Sequence, residues 1–204
     1  ERARLCLDDL LKYHLVQIGA NNSIQFRHQL IQEYYAAEEL LEKLATLSDE
    51  ALKWHYLNYL KWVEPVALMA GLVSEETQAL RLVTLSLEVD YGVEARLVGA
   101  IREEWQEAAI LPIFHLRIHP LVKTHLLGTT GSASAVTGLL KMLQDDVSYV
   151  RSSAAEALGK IGDATAVSGL LRALQDDDLY VRHSAAEALG EIGDSTTVSG
   201  LLRA

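Results

Sequence analysis

The 31 residues from 131 to 161 return at 162 to 192 with 22 of 31 positions identical, and no other feature constrains the fold of this chain as tightly. A third copy opens at Gly193 and matches the second at ten of twelve positions through Ala204. A fixed period of this length marks an array in which each unit is one supersecondary element. One unit cannot bury its own apolar face and stacks on the next.

Each unit reads as two helices. Val136, Leu139, Leu140 and Leu143 fall at helical spacing, Gln144-Asp145-Asp146 interrupts them, and Val150, Ala154, Ala157, Leu158 and Ile161 mark a second helix. The alanines at 154, 155 and 157 are small enough to let neighbouring helices approach closely. Gly159 and Gly190 are read as left-handed C-terminal caps of the second helices. The copies differ at Val147 against Asp178, Ser148 against Leu179, Ser152 against His183 and Lys160 against Glu191. A surface that reads a ligand varies in this way, and so do solvent positions free to drift. Tyr149 and Tyr180 share one slot. With His183 they are the candidate partner-binding residues; the alternative for the tyrosines is packing beneath the inter-helix turn.

The segments "DDVSYVRSSAAEALGKIGD" and "DDDLYVRHSAAEALGEIGD" resemble HEAT repeats, in the short form also found in phycobilisome lyases. The resemblance covers residues 131–204. It implies a right-handed stack of helix pairs, with Asp145 and Arg151, and likewise Asp176 and Arg182, forming a ladder of charge pairs between repeats. A chromophore lyase that handles a bilin is the enzymatic reading this analogy offers. It ranks last, because the chain has a single cysteine and no acid-base constellation.

Upstream of the repeats the pattern is helical without a fixed period. Residues 29–47 carry apolar groups at 30, 34, 37, 41 and 44, the stripe of an amphipathic helix. Ser48 is a capping residue followed by acidic Asp49 and Glu50. Pro65 is expected to close that helix and begin the next, which ends near Gly71. Ser74 is read as another cap, and Tyr91 to Glu107 as one helix with Val93, Leu97, Ala100, Ile101 and Trp105 on its apolar face. Trp54, Trp62 and Trp105 are expected in the core. Pro112 and Pro120 suggest a seam within 108–130. His115, His119 and His125 invite a zinc reading, but Pro120 keeps His119 out of helical geometry and no Cys or carboxylate completes a ligand set. They read as surface or capping residues, with no metal site.

At the beginning of the chain, Leu5, Leu7, Leu10, Leu11 and Leu15 make a helical pattern. Val16-Gln17-Ile18, the turn-rich Gly19-Ala20-Asn21-Asn22 and Ile24-Gln25-Phe26 then read as a β-hairpin. A helix followed by a small hairpin is the second half of a winged-helix module. The next residues, "FRHQLIQEYYAA", are similar to the edge of the nucleotide-binding unit in NACHT-type signalling NTPases of the STAND class. Phe26, His28, Gln32, Glu33, Ala36 and Ala37 match that motif in register. The resemblance implies that His28 contacts the β-phosphate of bound ADP in the resting state. An imidazole at a helix N-terminus suits an anionic phosphate, and the alternative is that His28 caps or packs at the hairpin-to-helix junction.

Several functions are excluded or disfavoured. There is no G-x-x-x-x-G-K-[ST] phosphate loop, so this chain is expected to hydrolyse nothing, with no catalytic residues and no cofactor of its own; ADP or ATP would belong to the parent protein. A formal charge of −10 opposes non-specific contact with nucleic acid or an anionic membrane. The first helix carries Asp8 and Asp9 against Arg2, Arg4 and Lys12, too mixed for a DNA surface. Cys6 is the only cysteine, no signal peptide opens the chain, and no apolar run reaches the roughly 18 residues of a membrane span, so a cytoplasmic location is expected. The missing initiator Met and the break in mid-pattern at Ala204 suggest a piece of a longer protein.

The expected fold is all-α, an α-solenoid of HEAT-like helix pairs with a winged-helix remnant, the β-hairpin, at the N-terminus. The expected divisions are 1–40 for the winged-helix half, 41–130 for an irregular helical domain and 131–204 for the repeats, the third truncated. The expected function is a regulatory or sensor arm of a nucleotide-switched signalling NTPase, whose repeats bind a protein partner or ligand or restrain the parent's own nucleotide-binding domain. A freestanding HEAT-like scaffold for protein-protein interaction is the alternative.

Overall fold

The computed structural model describes residues 11–12, 15–18, 24–26 and 28–193. Most of the first helix, the Gly19–Asn22 turn and nearly all of the third repeat copy lie outside the described residues. The chain divides by packing into two compact units, 1–72 and 73–204, and this seam falls inside the stretch read from sequence as the irregular helical domain.

In the first unit, β1 (Val16–Ile18) and β2 (Ile24–Phe26) pair antiparallel, with Val16 opposite Phe26 and Ile18 opposite Ile24. The expected hairpin is therefore present. Helix α1 (Gln29–Leu44) follows at once, and the Phe26 ring stacks on Tyr35 with centroids 5.8 Å apart, tying hairpin to helix. The face that α1 buries is Ala37, Leu40 and Leu44; Leu30 and Tyr34 of the expected stripe are exposed. The stripe was drawn through 30, 34, 37, 41 and 44. The buried face runs 37, 40 and 44, so Ala37 and Leu44 of the expected stripe are buried, Leu40 is buried while Leu41 is only half-buried, and the stripe fails in the first two turns.

Ser48 caps α2 (Asp49–Leu52) as expected, its hydroxyl accepting the Ala51 amide at 3.2 Å. That helix continues as a π-turn over Lys53–Leu57, breaks at Asn58, and restarts through the 3₁₀ turn Leu60–Trp62 into α3 (Val63–Leu72), which packs on α1. Pro65 closes nothing. It sits in the first turn of α3, where its missing amide has no helical partner to lose. Trp54, expected in the core, is 62% exposed, while Trp62 is half-buried and meets Tyr56 edge-on at 4.8 Å.

The second unit begins with α4 (Glu76–Leu87), α5 (Tyr91–Ala100) and α6 (Glu103–His115). Ser74 does not cap α4; Glu75 holds that position, without a side-chain bond. The single helix expected from Tyr91 to Glu107 is two helices, broken where Ile101 turns extended. Both Ile101 and Trp105 are nevertheless buried, so the apolar pattern survived a bend that periodicity does not register. Pro112 is accommodated inside α6, and Pro120 occupies the first position of α7 (Pro120–Thr129), with His119 as its cap.

Then come α8 (Val136–Met142), α9 (Ser148–Ile161), α10 (Val167–Ala173) and α11 (Leu179–Ile192), with 3₁₀ turns at Ala133–Ala135 and Ala164–Ala166. These are the two helix pairs of the two repeats, in an all-α, HEAT-like stack. Helix α9 packs against α11 on one side and α7 on the other. Leu127, Leu158 and Leu189, spaced 31 apart, are all fully buried. Gly131, Gly162 and Gly193, also 31 apart, all take positive φ, at 60°, 74° and 61°. By both markers α7 occupies the slot of a second repeat helix. The stacking geometry therefore begins one helix earlier than the sequence repeat.

The left-handed caps are these glycines. Gly159 and Gly190, read as caps from sequence, lie inside α9 and α11. The reason for glycine at 159 is spacing: a Cβ there would lie 2.7 Å from Ala188 Cα, and at 128, in the same slot one unit earlier, 2.8 Å from Ala157 Cβ. Neighbouring helices meet backbone to backbone at these points.

Candidate partner-binding surface

The charge ladder between repeats is built differently from the pairing that the family resemblance implies. Arg151 reaches forward to the next unit, Nε to Asp176 Oδ2 at 2.8 Å and Nη2 to Asp176 Oδ1 at 2.7 Å, with a further bond to Asp177 Oδ1 at 2.8 Å. Its Nη1 donates to the carbonyls of Asp145 and Asp146 in its own unit. Asp145 offers Arg151 its backbone and spends its carboxylate on the Val147 amide. Arg182 repeats the carbonyl bonds, to Asp176 and Asp177. The guanidinium of Arg151 holds the Asp176 carboxyl down at about 2. These arginines are therefore occupied within the stack.

The positions free to meet something else lie along α9 and α11. A groove of about 420 Å³ runs between these helices, and Tyr149, Tyr180 and His183 all line it. The three candidate partner residues named from sequence thus come together at one place. The alternative of tyrosines packed beneath the turn is not what is found: Tyr149 is 65% and Tyr180 75% exposed. Ser152 and Ser184 form the floor, their hydroxyls 2.9 Å apart across the two helices and both buried. Short side chains at these two positions leave the space that a leucine would fill. His183 Nδ1 stands 3.3 Å from Glu187 Oε2 one turn on. A second groove, of about 500 Å³, lies between α7 and α9; Tyr149 and Glu156 line both.

His28 is the N-cap residue of α1. Its backbone is extended at φ −121° and ψ 124°, its carbonyl accepts the amides of Ile31 and Gln32, and its exposed imidazole makes no capping bond. Of the motif around it, Phe26, Gln32, Glu33 and Ala36 line one cavity of about 690 Å³ in the first unit, with Leu60 and Trp62 on the other side. His28 is not among its lining residues. Of the other histidines, His119 Nδ1 caps α7 by accepting the Leu121 amide, His115 Nδ1 lies 2.8 Å from the Leu111 carbonyl, and His125 lines the α7–α9 groove. Among the described residues no group of three or more His, Cys, Asp or Glu is placed to hold a metal.

One residue escaped the sequence reading. Glu94 in α5 is fully buried, and neither carboxylate oxygen has a hydrogen-bond partner. Burial pushes its carboxyl up to about 7. The signal was available: Glu94 precedes Leu97 and Val98 by three and four residues and so lies on the apolar face of its helix.

Residues 136–204 match the profile of the HEAT-repeat family, in agreement with the repeat geometry. No curated protein matches the chain. No helix among the described residues is long and apolar enough to cross a membrane.

Proposed function

We propose that this chain is a non-catalytic, cytoplasmic interaction arm whose repeats capture a protein partner along the exposed face of α9 and α11. One observation carries the reading: Tyr149, Tyr180 and His183, on two successive repeats, line a single open groove. Exposed tyrosines above a recessed floor are the kind of anchor on which interfaces concentrate their binding energy. HEAT repeats serve widely as protein-interaction scaffolds. The test is co-purification from the native cell of the longest form of the protein that cell makes, as wild type, as Tyr149→Ala/Tyr180→Ala and as Lys141→Ala on the surface of α8. A partner lost by the tyrosine variant and kept by the lysine variant is expected; an unchanged set of partners overturns the reading.

Within that role, the finer reading is the regulatory arm of a nucleotide-switched NTPase, with His28 touching the phosphate of ADP held by the parent's own nucleotide-binding domain. The motif "FRHQLIQEYYAA" and the exposed imidazole of His28 at the start of a 16-residue helix support it. Partner binding at the repeats would then shift the closed-to-open equilibrium that ADP also biases. In the parent protein His28→Ala should speed ADP release several-fold, and an unaltered release rate rejects this role.

A further inference from the structure

We infer that the groove between α9 and α11 takes an arginine side chain of the partner protein. The inference rests on the interaction-arm reading above and names the chemistry of its ligand. The groove is lined by the carboxylates of Glu156, Asp178 and Glu187 and by no lysine or arginine. These acids are not equivalent. Asp178 spends Oδ1 on the amides of Tyr180 and Val181 at the start of α11, and Glu187 faces His183. Glu156 is exposed and makes no hydrogen bond or ion pair among the described residues, so it is the acceptor left for a ligand.

The rest of the lining selects the kind of cation. Tyr149 and Tyr180 present aromatic surface at the rim, and the Ser152–Ser184 floor leaves depth below it. A guanidinium lies flat against an aromatic ring and meets a carboxylate through two parallel N–H donors, whereas an ammonium is a strongly hydrated point charge with neither property. Anionic ligands, phosphorylated peptides and nucleic acid among them, would have to approach three carboxylates on a chain of net charge −10. The neighbouring α7–α9 groove is mixed in sign, with His125 and Lys160 beside Glu156, so selection for a cation belongs to the α9–α11 groove.

The experiment pans a random twelve-residue peptide library, displayed on phage, against the 204-residue chain, with the Tyr149→Ala/Tyr180→Ala variant as counter-selection. Circular dichroism of each variant establishes that it is folded. The expected winners carry arginine at one fixed position. The synthetic winning peptide then loses about tenfold in affinity when that arginine becomes citrulline, the same against Glu156→Gln, and several-fold with lysine in its place. Winners that depend on the tyrosines yet lack arginine, or tolerate citrulline, overturn the inference and leave the partner-binding surface standing. A library without any tyrosine-dependent winner overturns both.

Discussion

Arg151 and Asp176 face one another across the boundary between successive repeats as a two-pronged ion pair, Nε to Oδ2 at 2.8 Å and Nη2 to Oδ1 at 2.7 Å, with both side chains only 13% exposed. The same guanidinium holds two backbone carbonyls of its own repeat. One side chain therefore fixes the turn within a unit and the register of the next unit. Truncating one member of a pair this enclosed strands the other, and Arg151→Ala should cost about 3 kcal/mol in urea unfolding. Arg182 makes the carbonyl bonds alone among the described residues, and Arg182→Ala should cost about 1 kcal/mol. Equal losses would mean that the inter-repeat pair contributes nothing.

The acid limb of stability should show the same pair. The Asp176 carboxyl titrates at about 2 in the folded chain, below its ordinary 3.8. Its contribution of about 2 kcal/mol is fully present above pH 3.8 and is lost as pH falls through 2. Asp176→Asn should remove that component, seen as a flatter unfolding profile below pH 4.

Glu94 acts with the opposite sign. Its folded carboxyl titrates at about 7 against 4.5 for an ordinary glutamate, so the folded chain binds the extra proton and stability falls as pH rises from 4.5 to about 7. The loss amounts to about 3 kcal/mol and levels off above pH 7. Glu94→Leu should raise the unfolding midpoint at pH 8 and abolish this slope. A variant that is less stable than wild type at pH 8 would show that the carboxylate is satisfied in solution.

Two glycines in one repeat slot should respond oppositely to alanine. A Cβ at Gly159 would meet Ala188 Cα at 2.7 Å, while one at Gly190 meets nothing within 4 Å among the described residues. Gly159→Ala should destabilise by about 1–3 kcal/mol through overpacking. Gly190→Ala, in the interior of α11, should stabilise by about 0.5–1 kcal/mol. Thermal unfolding of the two variants side by side decides it.

Tyr149→Ala and Tyr180→Ala should leave stability within about 0.5 kcal/mol, because both rings stand in solvent. A larger loss by either variant in urea titration would give that tyrosine a structural role and disqualify it as a binding probe.

The repeats were legible because identity at a spacing of 31 reports register directly, and the same spacing brought Tyr149 and Tyr180 into view as a pair. What periodicity could not report was the third dimension. Gly159 reads as a cap when judged by its own helix and becomes a contact point only when Ala188 is placed against it. The forward reach of Arg151 to Asp176 was misassigned in detail because residues 25 apart lie outside any local pattern. In the first unit, the apolar stripe of α1 holds at Ala37 and Leu44 but not at Leu30 and Tyr34, because large apolar groups occupy more than one face of this helix. Trp54 is expected in the core as a large aromatic on an apolar stripe, yet in the π-turn that contains it Leu57 is the buried residue. The place of Glu94 on the apolar face is legible three and four residues before Leu97 and Val98, but its unpartnered oxygens become visible only when the helices around it are in place.

The left-handed glycines at 131, 162 and 193 also bear on how such an array can change its length. Each marks a joint of the same hand in the same frame, so excising or duplicating 31 residues splices like to like, and the helix that follows lands on its predecessor as before. A segment of another length shifts the helices that follow out of the 31-residue frame that these three glycines share. Whole units of 31 residues are the change in length that keeps every left-handed joint in place.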